Sequence, residues 1–140
     1  MAFLGSSTYS LDAKKRLFVP AKYREDLGNV FYVTRSVDNC LIIYTENEWE
    51  LFLKSLDRIP NTAGAAAKEY FMSAAQKCTT DGSGRILLDD TLRLHAQISK
   101  NVVFVGAGRF INLWSEELWS AREANRDLES IRAILQQYEL

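Results

Sequence analysis

Short apolar runs separated by polar turns fill the first half of the chain. Thr8 to Leu11 reads as a brief strand entering the polar turn Asp12-Ala-Lys-Lys15, and Arg16-Leu-Phe-Val19 returns to a strand-like pattern. Pro20 opens a short helix, because proline fits a first helical position; Lys22 to Leu27 supplies helix formers before Gly28-Asn29 closes it. Val30-Phe-Tyr-Val33 and Leu41-Ile-Ile-Tyr44 are unbroken apolar runs, the pattern of strands covered on both faces. Trp49, Phe52, Leu53, Leu56 and Ile59 then recur at steps of three and four, which places one apolar stripe on a helix ended by Pro60-Asn61.

The alanine-rich stretch from Ala63 to Ala75 predicts a helical connection, and after it the order of elements repeats. Ile86-Leu-Leu88 is strand-like, a short helix is expected near Asp90 to Ala96, strands at Val102 to Val105 and Phe110 to Trp114, and a long helix at the end. On that last helix Ala121, Ala124, Leu128, Ile131, Leu135 and Tyr138 form a narrow seam that packs either on the body or on another subunit. The repetition extends to single residues. Asp12, Arg16, Val19, Tyr23 and Arg24 fall on Asp81, Arg85, Leu88, Leu92 and Arg93 at one offset of 69. Asn29 to Val33 falls on Asn101 to Val105 at 72, and Tyr44, Glu46 and Trp49 fall on Trp114, Glu116 and Trp119 at 70. The small gaps belong to loops, as in a duplicated unit. The expected organisation is a first repeat over residues 1–60, a helical linker over 61–75, and a second repeat over 76–140 carrying the long C-terminal helix. Each half alone leaves its two-faced strands partly uncovered. The halves therefore share one core, and a closed or interleaved small barrel of α+β class with a mainly β core follows, free of exposed sheet edges.

A chain of 140 residues with 47% apolar content buries an ordinary core, which excludes a disordered protein. The net charge of −1 argues against binding polyanions through overall charge, so any such binding needs local concentration. That concentration exists: between Asp12 and Arg24 the chain carries Lys14, Lys15, Arg16, Lys22 and Arg24 against a single acid, Asp12. Residues 116–140, with six acids and three arginines, offset it in the total. Cys40 and Cys78 belong to no metal-spaced cluster and read as small buried hydrophobes. The start Met-Ala-Phe-Leu-Gly has no basic leader region and no apolar run reaches membrane length, so a cytoplasmic protein without a membrane partner is expected.

No catalytic constellation stands out. The single histidine, His95, has no acid or nucleophile in a recognisable motif around it and reads as structural or surface. Gly106-Ala-Gly108 lies between two strands, which suits a hairpin turn better than a nucleotide loop, and Asp89-Asp90 suits a helix start. No catalytic, cofactor or metal site is assigned, and a non-enzyme is expected. The Asp-x-x-x-Arg pairs Asp12/Arg16 and Asp81/Arg85 gain weight from position, since both occupy polar turns directly before apolar strands; Asp89/Arg93 reads as ordinary helical pairing. In such a turn the Asp accepts backbone N–H bonds, while the Arg either braces the Asp or reaches a phosphate or guanine edge.

Leu11-Asp-Ala-Lys-Lys-Arg-Leu-Phe-Val-Pro20, Cys40-Leu-Ile-Ile-Tyr44 with Glu48-Trp49-Glu50, and Asp81-Gly-Ser-Gly-Arg85 together resemble the MraZ family over nearly the whole chain. The resemblance implies a duplicated swapped-hairpin β-barrel, similar to AbrB-type folds, with flanking helices. It further implies a bacterial, nucleoid-associated transcriptional regulator of the division and cell-wall gene cluster, assembled as a homo-oligomeric ring on repeated operator boxes in double-stranded DNA upstream of its own operon. The paired loops are the DNA-contacting motifs of that family. On this basis Lys14 and Lys15 are assigned to phosphates, Arg16 to a mixed phosphate and base-edge role, and Gly82, Ser83, Gly84 and Arg85 to the second DNA loop; Asp12 and Asp81 shape the turns. The first loop departs from the family in having Lys15 where glycine is usual. Two alternatives stay open: the Arg85 loop braces a neighbouring subunit, or the whole molecule is a ring-forming scaffold whose Asp-x-x-x-Arg loops hold subunit contacts.

Overall fold

The computed structural model describes residues 2–140; Met1, the first residue of the expected first repeat and of the start Met-Ala-Phe-Leu-Gly, lies outside the described residues. The elements follow in the order β1 (Ser6–Ser10), β2 (Arg16–Phe18), α1 (Ala21–Leu27), β3 (Phe31–Arg35), β4 (Leu41–Thr45), α2 (Glu46–Asp57) and α3 (Asn61–Ala74). They continue with β5 (Gln76–Cys78), β6 (Arg85–Leu87), α4 (Asp90–His95), β7 (Asn101–Gly106), β8 (Ile111–Ser115), α5 (Glu116–Ala124) and α6 (Leu128–Gln137). The class is α+β. Six strands form one antiparallel sheet in the order β1-β7-β8-β4-β3-β5, while β2 and β6 pair as a separate antiparallel ribbon.

Local chemistry accounts for these elements. The apolar runs of β3, β4, β7 and β8 supply the buried centre, where Phe31, Val33, Leu41, Ile43, Val102, Phe104, Ile111 and Leu113 are at most 1% exposed. Thr45 caps α2 by accepting the Glu48 N–H at 3.1 Å, and Ser115, its counterpart, caps α5 by accepting that of Leu118 at 3.1 Å. Pro20 precedes α1 as its cap, with ψ of 140°, instead of occupying the first helical position. Both thiols are free and buried, and burial pushes Cys78 up to about 12, which keeps it a neutral packing group.

The halves exchange strands. β1 from the first half pairs with β7 of the second, β5 from the second pairs with β3 of the first, and β2 pairs with β6. The ladder does not close into the expected barrel: β1 and β5 are its edges, of five and three residues. Packing covers the sheet where hydrogen bonds do not close it, because Leu17 and Ile86, opposite each other in the ribbon, are 0% and 3% exposed and join the common core.

Further differences from the sequence reading have local causes. The long closing helix is two helices, since Asp127 accepts the Ser130 backbone N–H at 3.1 Å and its hydroxyl at 2.6 Å, starting α6 afresh. The seam residues of α6 face solvent, with Leu128 61%, Ile131 41% and Leu135 41% exposed. β5 carries no apolar run, and the ladder partner β3 makes it a strand. Ile59 lies past the end of α2 and is exposed, so it does not complete that helix's stripe.

Candidate functional site

The ribbon positions both polar loops. Alternation turns Leu17 and Ile86 inward, leaving Arg16 and Phe18 of β2 and Arg85 and Leu87 of β6 on the other face. Register sets Arg16 across from Leu87 and Phe18 across from Arg85. Residues 12–15 lead into β2 and residues 81–84 into β6, so the two loops flank one short ribbon.

The loops are built alike, bond for bond. Asp12 Oδ1 accepts the Lys14 and Arg16 backbone N–H groups at 2.9 Å each, and Oδ2 accepts Arg16 Nε at 2.8 Å. Asp81 Oδ1 accepts the Ser83 and Arg85 backbone N–H groups at 2.8 and 3.0 Å, and Oδ2 accepts Arg85 Nε at 3.1 Å. Backbone bonds close each turn, Lys15 N to Asp12 O at 3.0 Å and Gly84 N to Asp81 O at 3.0 Å. The backbone N–H bonds from Arg16 and Arg85, with smaller contributions from the guanidinium groups, hold both carboxyls below their ordinary value of 3.8.

Lys15 and Gly84 occupy equivalent left-handed positions, with φ of +62° and +78°. Lysine at that position costs about 1 kcal/mol relative to glycine. The turn geometry is thus the same in both loops despite the missing glycine, and the first loop keeps an extra cation. Gly84 has a second reason to be glycine, because a Cβ there would run into the Arg24 guanidinium beneath it. Arg24 itself lies over the Phe18 ring at 5.1 Å, and its Nε is buried without a partner.

The two loops meet at one carboxylate. Arg85 Nη1 lies 3.5 Å from Asp12 Oδ2, the oxygen that also holds Arg16. Arg16, Arg85 and Asp12 side chains are each about one third exposed, at 31%, 31% and 32%. The structure brings Asp12, Arg16 and Arg85 into direct contact, with Lys14 and Lys15 exposed on the first loop and Gly82 and Ser83 exposed on the second. Aligned guanidinium groups and free ammonium groups on one surface suit an anionic ligand with several oxygens. Arg24, read from sequence as part of the basic segment, was not assigned to the loop it lies beneath, and the open Leu87 was not singled out; the repeat register, which sets them on Arg93 and Phe18, was the signal available.

Elsewhere His95 Nε2 lies 2.8 Å from the Asp38 carbonyl oxygen. Among the described residues no group of three or more His, Cys, Asp or Glu side chains is arranged to hold a metal ion, and no helix is long and apolar enough to cross a membrane.

The family model described as "MraZ protein, putative antitoxin-like" matches residues 2–69 and 71–137. The chain is 39% identical over 142 residues to a protein of Ligilactobacillus salivarius named transcriptional regulator MraZ, the match covering 99% of each. It is 41% identical over 120 residues to the protein of that name from Lachnoclostridium phytofermentans, covering 85% of each, and 38% over 120 residues to that of Carboxydothermus hydrogenoformans, covering 84% of each.

Proposed function

The chain belongs to the MraZ family, and from that premise we propose that it is a sequence-specific, cytoplasmic and nucleoid-associated transcriptional regulator. It binds double-stranded DNA through the paired loops. The observation that carries this is the meeting of Arg16 and Arg85 at Asp12, with Lys14 and Lys15 exposed on the loop that leads into the same ribbon. Lys14 and Lys15 engage phosphates, fixing the register, and Arg16 engages phosphate and base edge. Gly82, Ser83, Gly84 and Arg85 form the second contact, and Asp12 and Asp81 hold the guanidinium groups in place. The tie from Arg85 to Asp12 favours this loop acting with the first on one DNA over a bracing role between subunits.

Residues 1–60 and 76–140 form the two repeats, joined by the linker 61–75, and the strand exchange between them is the reason to place the fold with swapped-hairpin units. A protein of net charge −1 with two small basic loops binds DNA weakly as a single copy. Several copies on repeated boxes raise the effective concentration, with avidity gains of about 10²–10⁴. The exposed apolar side of α6 supports such an assembly, which we read as a ring on operator boxes upstream of the chain's own operon in the division and cell-wall cluster.

Gel-shift titration with that upstream DNA, in the presence of unrelated competitor, tests the reading. The wild type is expected to give a competitor-resistant shift. Arg16→Ala is expected to lose it while keeping its thermal transition, because this side chain is outside the core. Equal affinity of the variant, or shifts that any DNA competes away, contradict the proposal and favour a scaffold.

A further inference from the structure

Charge does not account for Leu87. It is 57% exposed at the end of β6, on the face that carries Arg16 and Arg85. Its counterpart in the first half, Phe18, is covered: the Tyr9 ring lies 5.7 Å from it and the Arg24 guanidinium 5.1 Å. In the second half the position of Tyr9 is held by Cys78, which is buried and too short to lie over a leucine. The duplication thus leaves one large apolar side chain open beside the two arginines and the basic first loop. The fold gains little from it there, since most of its surface stays in water.

Its neighbours constrain what can come near. Leu87 shares a groove with Lys14 and Lys15 from the first loop and with Asp89, Asp90 and Arg93 around the start of α4, where Arg93 is paired with Asp90. A phosphate chain is drawn toward the lysines and repelled by Asp89, so it runs along the first loop and Leu87 meets the bases instead of the backbone. Arg16 stands directly across the ribbon from Leu87, and side chains so paired are about 5 Å apart. That lies between one and two base-pair steps of about 3.4 Å, so the two side chains address different, neighbouring base pairs. The major groove admits a two-stranded ribbon, and the one apolar group it displays is the 5-methyl of thymine.

We infer that Leu87 reads the methyl group of a thymine beside the base pair engaged by Arg16, which makes it a specificity-determining residue in DNA recognition. This rests on the DNA-binding function proposed above. Leucine offers no hydrogen bond, so it rewards the methyl and is indifferent to the rest of the base edge.

The test uses full-length protein and a duplex that the wild type enriches from a random-sequence pool. The same duplex is then prepared with deoxyuridine in place of every thymidine, which removes only the methyl groups. Wild-type affinity is expected to fall about fourfold for each subunit engaged on the deoxyuridine duplex, the loss of one buried methyl per Leu87. Leu87→Ala is expected to bind the thymidine duplex about that much more weakly and to show no further loss with deoxyuridine; Leu87→Ser serves if the alanine variant loses its thermal transition. Wild-type binding indifferent to deoxyuridine overturns the inference and leaves the regulator reading standing. So does a leucine variant as sensitive to deoxyuridine as the wild type, because another group then reads the methyl. Failure of the wild type to enrich any sequence brings down both.

Discussion

Asp12 does more than its counterpart Asp81. Both organise their own turns through two backbone N–H groups and an Nε, but Asp12 Oδ2 additionally faces Arg85 across the ribbon. Asparagine at either position keeps the acceptor for the turn and loses the charge that holds the guanidinium groups. Asp12→Asn is therefore expected to lower Tm about 2–4 °C further than Asp81→Asn, measured by circular dichroism on the two variants; equal losses would mean that the link between loops contributes nothing. The pH dependence has a definite sign. Both carboxyls are depressed in the folded state, so the stability they contribute is complete above their ordinary value of 3.8 and is lost as the pH falls below it through the folded values. The acid limb of the wild-type Tm profile should begin near that point, and it should be shallower in the Asp12→Asn variant.

At the level of elements, the proposed function assigns DNA reading to the ribbon and assembly to the last helix. β2 and β6 are only three residues each, and they persist because Leu17 and Ile86 anchor them in the core. The two-residue period of each strand thereby separates the residues proposed to read DNA from those that anchor the ribbon. α6 has no such anchor: Ile131, Ile134 and Leu135 are 41%, 57% and 41% exposed. A stripe of that kind on a helix started afresh by Asp127 suits contact with another copy. The double substitution Ile131→Glu/Ile134→Glu should leave the far-ultraviolet spectrum unchanged and reduce the mass measured by light scattering to that of a smaller species. An unchanged mass would put the subunit contact elsewhere. The break before α6 was legible in Asn125-Arg126-Asp127, three polar residues inside an otherwise continuous seam, but the regular steps of three and four concealed it. β5 was hidden for another reason, since Gln76-Lys77-Cys78 has no strand pattern of its own.

For the whole molecule, duplication explains both what could be read in advance and what could not. Matching Asp12 to Asp81 and Trp49 to Trp119 disclosed two halves sharing one core. Continuous apolar runs indicate that a strand is covered on both faces, yet they carry no information about its partner. The exchange of β1 and β5 between halves, and the open ladder where a closed barrel was expected, are properties of pairing that only the three-dimensional arrangement displays. The loop residues were legible one by one; their meeting at Asp12 was not, because Asp12 and Arg85 are 73 positions apart. The proposed activity belongs to this largest scale, since a nearly neutral subunit needs several copies on one DNA to bind firmly. Hydroxyl-radical footprinting of the DNA upstream of the chain's own gene tests that most directly. Regularly spaced protected boxes with the wild type, absent with Arg16→Ala at the same concentration, are expected; a single protected patch, no protection, or boxes that persist in the variant would contradict it.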